Sequence, residues 1–330
     1  MVLDLQHLSL DKLDQLTADS SWSWGSYITA ACLLEAAAPK AGNVHPSASF
    51  HDMDYEDFQQ SALAIGQLFD FGKCESIGGW VFDAVKETQD KIKKNTNLGI
   101  ILLLGPLLFA AKQLGFQRHK AYRDRLKLEV ESKLSLLDAS DSAFVYQAIT
   151  IAKPGGMGSV EKMDIRQEPP RHLQKAMRLA AEWDDVAKQY ATGFSDVFEL
   201  STRLDKYHHK TKLGWLGAIV VVQAERLASH GDTLIARKND QATVQRVHQL
   251  ANEVFLMEPL RSKADARQKE NRQVQAKKLS LNSVENIIDR KAWDRLDDFL
   301  RGDGNRRNPG TTADLIAAAI FVSLLNEYNT

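Results

Sequence analysis

The chain has 330 residues, and its 42 lysines and arginines nearly balance 43 aspartates and glutamates, giving a net charge of -1. This balance gives no overall electrostatic reason to bind nucleic acid or an anionic membrane, so neither is an expected partner. Hydrophobic residues at 44% and charged residues at 26% are typical of a globular protein with a sizeable core. Cys32 and Cys74 lack metal-ligand spacing and fit a reducing cytoplasm.

Two segments were considered for targeting or membrane insertion. Residues 1–20 lack a basic region before a long apolar core, so we expect no signal peptide. The longest apolar run, 98–111, spans about 14 residues and contains Gly105 and Pro106. A membrane-spanning helix needs roughly 20 residues. The run therefore predicts a buried, kinked helix, and we expect a cytoplasmic protein.

Most of the chain carries apolar side chains at the three- and four-residue spacing that is typical of α-helices. The run 219–222 has the composition of a strand, but a single strand would have no partner. The pattern predicts an all-α fold, with ten or more helices in a single multi-helix bundle domain over residues 1–330 and with 1–20 as a peripheral segment. The helical segments are 27–38, 58–69, 98–111, 173–190, 215–228, 284–300 and 315–321.

Three segments interrupt the helical pattern. Residues 40–53 begin with a stretch around Gly42 and Pro46 that cannot continue a helix, and 153–170 hold three prolines and three glycines; both predict long loops. The segment 261–278 holds seven basic and two acidic residues. It predicts a solvated helix or a connection, with a binding patch as the alternative. No internal repeat and no flexible linker divides the chain.

The segment 308–314 reads NPGTTAD and leads into the apolar run 315–321. Its proline and glycine end the preceding element. Thr311 is placed to cap the new helix, and Asp314, three residues later, completes a capping box. A helix N-terminus also carries free N–H groups and a partial positive charge that suit phosphate. By itself the segment favours capping over anion binding.

Other polar residues also stand at the ends of apolar helices, and each has a local explanation. Asp54 and Asn97 fit helix N-caps. Gly231 fits the residue after a helix end, which leaves Asp232 as a turn former. His45 precedes a proline and fits an ordinary loop histidine.

Three aspartates nevertheless suggest a shared role. Asp52, Asp232 and Asp314 place hard oxygen ligands on distant segments. Mg²⁺ takes one or two carboxylates together with waters and substrate phosphates. If the bundle brings these helix ends together, the aspartates would bind Mg²⁺ in a polar pocket formed by helix ends and loops.

Basic residues could hold a polyphosphate in the same pocket. Lys40, Arg237 and Lys238 are the candidates, together with the N-termini of two helices. Other chemistry is less well supported. The sequence has no phosphate-binding G-x-x-x-x-G-K-S/T loop, no dinucleotide fingerprint and no G-x-S-x-G motif. His208 and His209 are adjacent and lack metal-ligand spacing.

An ordered set of motifs resembles the triphosphoribosyl-dephospho-CoA synthase family, over about residues 35–320. The motifs are Glu35 followed by PKAGNV at 39–44 and HDM at 51–53, NTNLGI at 95–100, PGG at 154–156, Asp232-Thr233 with Arg237-Lys238, and NPGTTADL at 308–315.

The resemblance implies an all-helical enzyme that transfers the triphosphoribosyl group of ATP to 3′-dephospho-CoA and releases adenine. A carboxylate would stabilise the positive charge that builds on the ribose. By resemblance, Asp52, Asp232 and Asp314 would be the catalytic or Mg²⁺-binding acids. The implied substrate-binding residues are Lys40, Asn43, His45, Asn97, Arg237, Lys238, Asn308 and Thr311.

The chain departs from the family pattern at three places. Residues 190–198 read YATGFSDVF where the family carries a histidine–glycine segment, and Ala41 replaces a more usual proline. Residues 95–99 read NTNLG where the family has an asparagine–threonine–histidine–lysine–glycine run. These departures resemble a divergent branch whose members stand beside methanopterin-type one-carbon cofactor genes.

We therefore expect a Mg²⁺-dependent nucleotide transferase of cofactor biosynthesis, acting on ATP and dephospho-CoA or another small precursor. The first alternative is the same pocket with a different acceptor in tetrahydromethanopterin biosynthesis. The second is a non-enzymatic helical module that binds a protein partner, through 261–278. A homodimer is one of the assemblies that the sequence allows.

Overall fold

The computed structural model describes residues 9–18, 21–73, 75–116, 121–155, 164–211, 213–256 and 283–329. Within these ranges the chain forms helices and no strand beyond two isolated β-bridges, which confirms the predicted all-α fold. The basic segment 261–278 lies outside the described residues.

A π-helical segment, Lys206–Lys210, follows α10, and a 3₁₀ turn, Val284–Asn286, precedes α14. The α-helices are α1 (Leu10–Asp14), α2 (Trp24–Ala37), α3 (Tyr55–Phe71), α4 (Ile77–Ile92), α5 (Leu98–Leu114), α6 (Tyr122–Ser135), α7 (Ala139–Ala152), α8 (Leu173–Ala180), α9 (Asp185–Thr192), α10 (Ser195–Asp205), α11 (Gly214–Ser229), α12 (Thr233–Lys238), α13 (Gln241–Glu253), α14 (Arg290–Arg301) and α15 (Gly310–Asn329).

The C-terminal helix α15 forms the centre of the bundle. It packs against α2, α5 and α10 and also contacts α11 and α12. Residues 315–325 are all buried, as expected for a helix that is apolar on every face. Helix α5 is likewise buried over most of its length, with Pro106 inside it. Among the described residues, no helix combines the length and hydrophobicity that crossing a bilayer would require.

Two segments predicted as continuous helices are each interrupted by an aspartate. Asp184 Oδ1 accepts hydrogen bonds from Val186 N and Ala187 N and begins α9, so 173–190 forms two helices. Asp289 Oδ1 accepts from Ala292 N at 2.7 Å and begins α14. The apolar spacing continues across both breaks, because the helices on either side face the same core. The spacing alone therefore did not reveal the breaks.

Other predicted helix ends are confirmed. Asp54 caps α3 in a reciprocal capping box with Asp57. Gly231 follows α11 with φ of +76°, a backbone conformation that favours glycine. Asn97 stands at the N-cap of α5, but its side chain makes no capping hydrogen bond.

Candidate active-site cleft

A cleft of about 1140 Å³ lies where the loop 40–53 and the loop 302–309 meet the N-terminal ends of α5, α9 and α15. Helix ends and loops form its polar wall, as the sequence predicted. Eight of the predicted site residues line this cleft: Asn43, Asp52, Asn97, Arg237, Lys238, Asn308, Thr311 and Asp314.

Asp314 lies in the first part of α15 and points toward the N-terminus of α5. A Cβ atom on Gly99 would lie 2.0 Å from Asp314 Oδ2, so the two helices approach this closely only because residue 99 is glycine. Burial raises the pKa of Asp314 well above its usual range, and the negative charges of Glu35 and Asp184 raise it further, while Arg237 opposes the shift. The carboxyl group of Asp314 therefore tends to hold a proton.

Glu35 is a second acid of the cleft, and it is almost fully buried. Lys40 Nζ lies 2.9 Å from Glu35 Oε1 and also donates to the backbone carbonyl of Glu35. Burial is the main cause of the raised pKa of Cys32, and the nearby charges of Glu35 and Asp314 raise this pKa further. The floor of the cleft thus holds two acids, of which one is paired with a lysine and the other is not.

Two basic residues at the end of α12 face the same cleft. Arg237 pairs with Asp184, the residue that caps α9. Lys238 lies beside Gly155, where an added Cβ would come within 3.2 Å of Lys238 Cε. Burial lowers the pKa of Lys238, and the neighbouring Arg237 lowers it further. Two adjacent cations under these conditions favour an anionic ligand.

Among the described residues, five asparagines line the cleft, and three of them, Asn43, Asn97 and Asn308, are predicted site residues. Asn97 Nδ2 donates to Thr88 Oγ1 at 3.3 Å. Asn43 Oδ1 accepts from Gln223 Nε2 at 2.8 Å, which fixes the first loop to α11. Asn308 lies in the turn before α15, and its backbone carbonyl accepts from Gly310 N. Packing and these contacts hold the polar wall in place.

Asp52 lies on the rim of the cleft and is exposed. Its charge is one of several that raise the pKa of Lys94, whose main partner is Asp57. An exposed carboxylate at the cleft entrance is accessible to a ligand that carries its own charge.

Apolar and aromatic side chains form the remaining wall of the cleft. Trp183 is 42% exposed, although it is a large aromatic residue. A partly exposed indole beside a polar pocket provides a face on which a planar ring can stack. The other members of this wall include Phe50, Phe58, Ile149, Leu173, Met177 and Val186.

The comparison with known families identifies the chain. The sequence model of the CitG family, described as ATP:dephospho-CoA triphosphoribosyl transferase, matches residues 21–330. The chain belongs to the CitG family. It is therefore an enzyme of the transferase class, similar to triphosphoribosyl-dephospho-CoA synthases.

A solved structure shares the fold of this CitG-family protein. It is the crystal structure of an Archaeoglobus fulgidus protein described as a candidate triphosphoribosyl-dephospho-CoA synthase. The TM-score is 0.54 at 20% sequence identity, and the match covers 82% of this chain and 98% of the other. At this identity the likeness shows a common fold. In the comparison with curated proteins, no protein matches the chain.

Three predicted site residues of this CitG-family protein do not line the cleft, and Asp232 is the first. Its Oδ1 accepts hydrogen bonds from Leu234 N and Ile235 N, and its Oδ2 accepts from Thr312 N at 2.7 Å. The side chain therefore caps α12 and α15 from a buried position. With both oxygens engaged by backbone groups, Asp232 is poorly placed for the catalytic or Mg²⁺-binding role that the sequence suggested.

Lys40 and His45 also lie outside the lining. Lys40 is fully buried behind Glu35, so it acts on the cleft through that acid and does not reach a phosphate directly. His45 forms an isolated bridge with Ala48, and its Nδ1 accepts from Ser47 N at 3.3 Å. Local turn geometry, which a residue pattern does not fix, keeps His45 away from the cleft.

The capping box expected at 311–314 differs from the structure. Helix α15 begins at Gly310, so Thr311 lies inside its first turn. The carbonyl of Pro309 accepts the bond from Ala313 N, and the cap on Thr312 N comes from Asp232. One of the N–H groups that were predicted to bind phosphate therefore already donates its hydrogen bond to a carboxylate.

Sequence reasoning missed Asp184 and gave Glu35 no role in the site. Asp184 was treated as part of a continuous helix, although an aspartate after a tryptophan inside an apolar repeat can signal a cap. Glu35 appeared only as part of a motif. Its position inside the otherwise apolar segment 27–38 is the signal that could have identified a buried, paired acid.

Proposed function

We propose that this protein transfers the triphosphoribosyl group of ATP to the 2′-hydroxyl of 3′-dephospho-CoA and releases adenine, in a Mg²⁺-dependent step of cofactor biosynthesis. The observation that carries the proposal is the convergence, in one cleft, of two acids with different surroundings and a pair of adjacent cations. Family membership provides the reaction class. The bond between ribose C1′ and adenine breaks, and a bond from C1′ to the acceptor oxygen forms. The hydroxyl proton is balanced by the proton that adenine gains.

The two acids support a division of roles. Two neighbouring carboxyl groups in different surroundings can take different roles, one as a proton donor and the other as a stabilising carboxylate. Asp314 tends to hold a proton, which suits donation to the departing adenine. Glu35, held by Lys40, suits electrostatic stabilisation of the positive charge that develops on the ribose.

The adjacent cations support binding of a triphosphate. Arg237 presents a planar guanidinium that matches phosphate oxygens, and Asp184 holds it in position. The depressed pKa of Lys238 reflects burial and repulsion by Arg237, and an anion would relieve both. Asn308 lies just before α15, and Thr311 lies in its first turn. Both residues line the cleft, and their side chains can donate hydrogen bonds.

The oxygen donors that line the cleft fit Mg²⁺ in chemical type. Among the described residues, no three cleft carboxylates lie close enough to form a metal cage, so the substrate's phosphates would complete the coordination. Asp52 would hold the ion together with phosphate oxygens and water. When bound, Mg²⁺ would neutralise the triphosphate charge and orient it.

The size of the cleft supports two substrates. Pockets for a single drug-sized ligand span roughly 300–1,000 Å³, whereas this cleft measures about 1140 Å³. The apolar wall around Trp183 can receive adenine or the adenosine part of the acceptor. The same wall also suits a pterin, and this is the acceptor alternative.

The proposal is tested by incubating purified protein with ATP and Mg²⁺, with dephospho-CoA, with a pterin acceptor, or with neither, and measuring adenine by chromatography. Adenine that depends on dephospho-CoA and disappears with chelator supports the proposal. Adenine that is released only in the presence of the pterin would identify a pterin, and not dephospho-CoA, as the acceptor. A protein that yields no adenine with any acceptor and is not stabilised by Mg-ATP would favour the protein-binding alternative, since saturating ligand at 100 times Kd adds about 2.7 kcal/mol.

A further inference from the structure

A second group of ligand-binding side chains lies where the π-helical segment 206–210 meets the C-terminal end of α15. His208, His209 and Glu327 each offer one ligand atom, and these atoms all lie within 4.8 Å of one another. None of the three residues lines the cleft. The two histidines by themselves lack metal-ligand spacing, and the third member of the group, Glu327, is more than a hundred residues away in the chain.

The ring of His208 has the environment of a metal ligand. It stacks on Trp215 with ring centroids 4.2 Å apart, and its Nδ1 is buried without a hydrogen-bond partner. A ring nitrogen without a hydrogen-bond partner is free to serve as a metal ligand.

The π-helical segment explains how two adjacent histidines meet one ligand. Neighbouring residues of a regular α-helix do not face each other. Here the two rings lie 4.4 Å apart in an edge-to-face arrangement. A π-helical turn is rare and occurs frequently at functional sites. Its presence at these two histidines is a second observation that points to a ligand.

Nearby negative charge favours a cation over an anion at this place. The carboxyl groups of Glu327 and Asp205 lie close enough to interact electrostatically. Asp205 pairs with Arg123 through Oδ2, while its Oδ1 is buried without a hydrogen-bond partner. A bound cation would stabilise both carboxylates.

We propose that His208, His209 and Glu327 bind one divalent first-row transition metal ion and thereby join the end of α10 to the end of α15. Two imidazoles and a carboxylate form a ligand set that zinc uses, with a further position for water. Mg²⁺ prefers oxygen donors only, so this site differs in chemistry from the one proposed in the cleft.

The test uses the full chain without a histidine tag, after treatment with a chelator. Co²⁺ is titrated and followed by its visible absorption, and Zn²⁺ is then added as the competitor. We expect saturable binding of one ion and a rise in Tm on addition of Zn²⁺. His209→Ala and Glu327→Gln should each weaken binding by at least about 10-fold, the size of loss that outer-shell partners already cause.

His230→Ala is the matched control, because His230 is an exposed histidine outside the group. It should bind metal as the wild type does. Absence of saturable binding in the wild type, or wild-type affinity in both His209→Ala and Glu327→Gln, would overturn the proposal. This inference does not depend on the transferase reaction, since binding is measured without substrate.

Discussion

The carboxylate of Asp232 accepts a 2.7 Å hydrogen bond from Thr312 N, 80 residues further along the chain. The same side chain accepts the N–H groups of Leu234 and Ile235, so one buried group caps both α12 and α15. Both helices contribute walls to the cleft. Asp232 therefore acts on the cleft by holding its walls together.

Replacing Asp232 by alanine should lower the free energy of unfolding by about 1–4 kcal/mol, because it removes two caps and each lost cap costs roughly 0.5–2 kcal/mol. Urea denaturation followed by circular dichroism measures the change. Asp240→Ala, which removes a single exposed cap on α13, should cost less. An Asp232 variant with wild-type stability and no activity would contradict the capping role and return this residue to catalysis.

The buried pair of Lys40 and Glu35 gives a second stability prediction. Lys40→Met should destabilise the fold by roughly 3–5 kcal/mol, because it leaves an acid buried without its counter-charge. Adding Glu35→Gln to this variant should recover part of the loss. A double-mutant cycle measures the coupling.

The surface pair of Lys91 and Glu87 provides the control for this cycle, since both side chains are largely exposed. Lys91→Met should change stability little. Strictly additive effects of the two substitutions at 35 and 40 would show that the pair is not coupled.

Gly99→Ala tests the close approach between α5 and Asp314. The new methyl group would meet the carboxylate at 2.0 Å and displace it. A displacement of about 1 Å at a reacting group can cost roughly 100-fold in rate. We expect a loss of that order in adenine release, with the fold retained.

Gly105→Ala, in the same helix, is the matched control. Its added Cβ would meet only side-chain atoms of Val81, Ile77 and Trp80, at 3.2 Å or more. It should keep most of the activity. Equal activities of the two variants would argue against a reacting role for Asp314.

Stability should fall on acidification because of His45. Burial lowers the pKa of this histidine, and Arg301 and Lys40 lower it further. Below the ordinary value of about 6.5, the unfolded chain takes up a proton that the folded chain resists. The stability that His45 contributes is therefore present above that pH and is lost as the pH falls through the folded pKa.

Unfolding free energies at several pH values between 7.5 and 4.5 test this effect by comparing the wild type with His45→Asn. The variant should show a shallower loss of stability. His51→Asn removes an exposed histidine of the same loop and should leave the slope unchanged. Identical slopes for His45→Asn and the wild type would refute the assignment.

The helical architecture was predictable because apolar spacing is a local property of the sequence. The run 315–321 indicated a buried helix, and α15 is indeed the centre of the bundle. The breaks at Asp184 and Asp289 were not predictable from spacing, since both helices flanking each break face one core. At both positions the aspartate side chain caps a new helix, although the apolar spacing continues across the break.

The cleft was predictable to the extent that polar residues at helix ends converge on it. Asn97 and Asp314 stand near helix starts, Arg237 stands near a helix end, and all three line the cleft. Lys40 and Asp232 do not line it: Lys40 is buried against Glu35, and Asp232 caps two helices. The bond from Thr312 N to Asp232 joins residues 80 apart and leaves no periodic signal in the sequence.

We propose that Asp314 gives the departing adenine its proton. The rate of adenine release from Mg-ATP and dephospho-CoA by Asp314→Asn tests this role, with Asp83→Asn, an exposed carboxylate of α4, as control. We expect a loss of roughly 100-fold or more, since a positioned acid contributes about 10²–10⁴ in rate. The Tm should be unchanged or higher, because the amide cannot ionise and avoids the cost of burying a carboxyl group. Wild-type rates of adenine release from the folded Asp314→Asn variant would contradict this role.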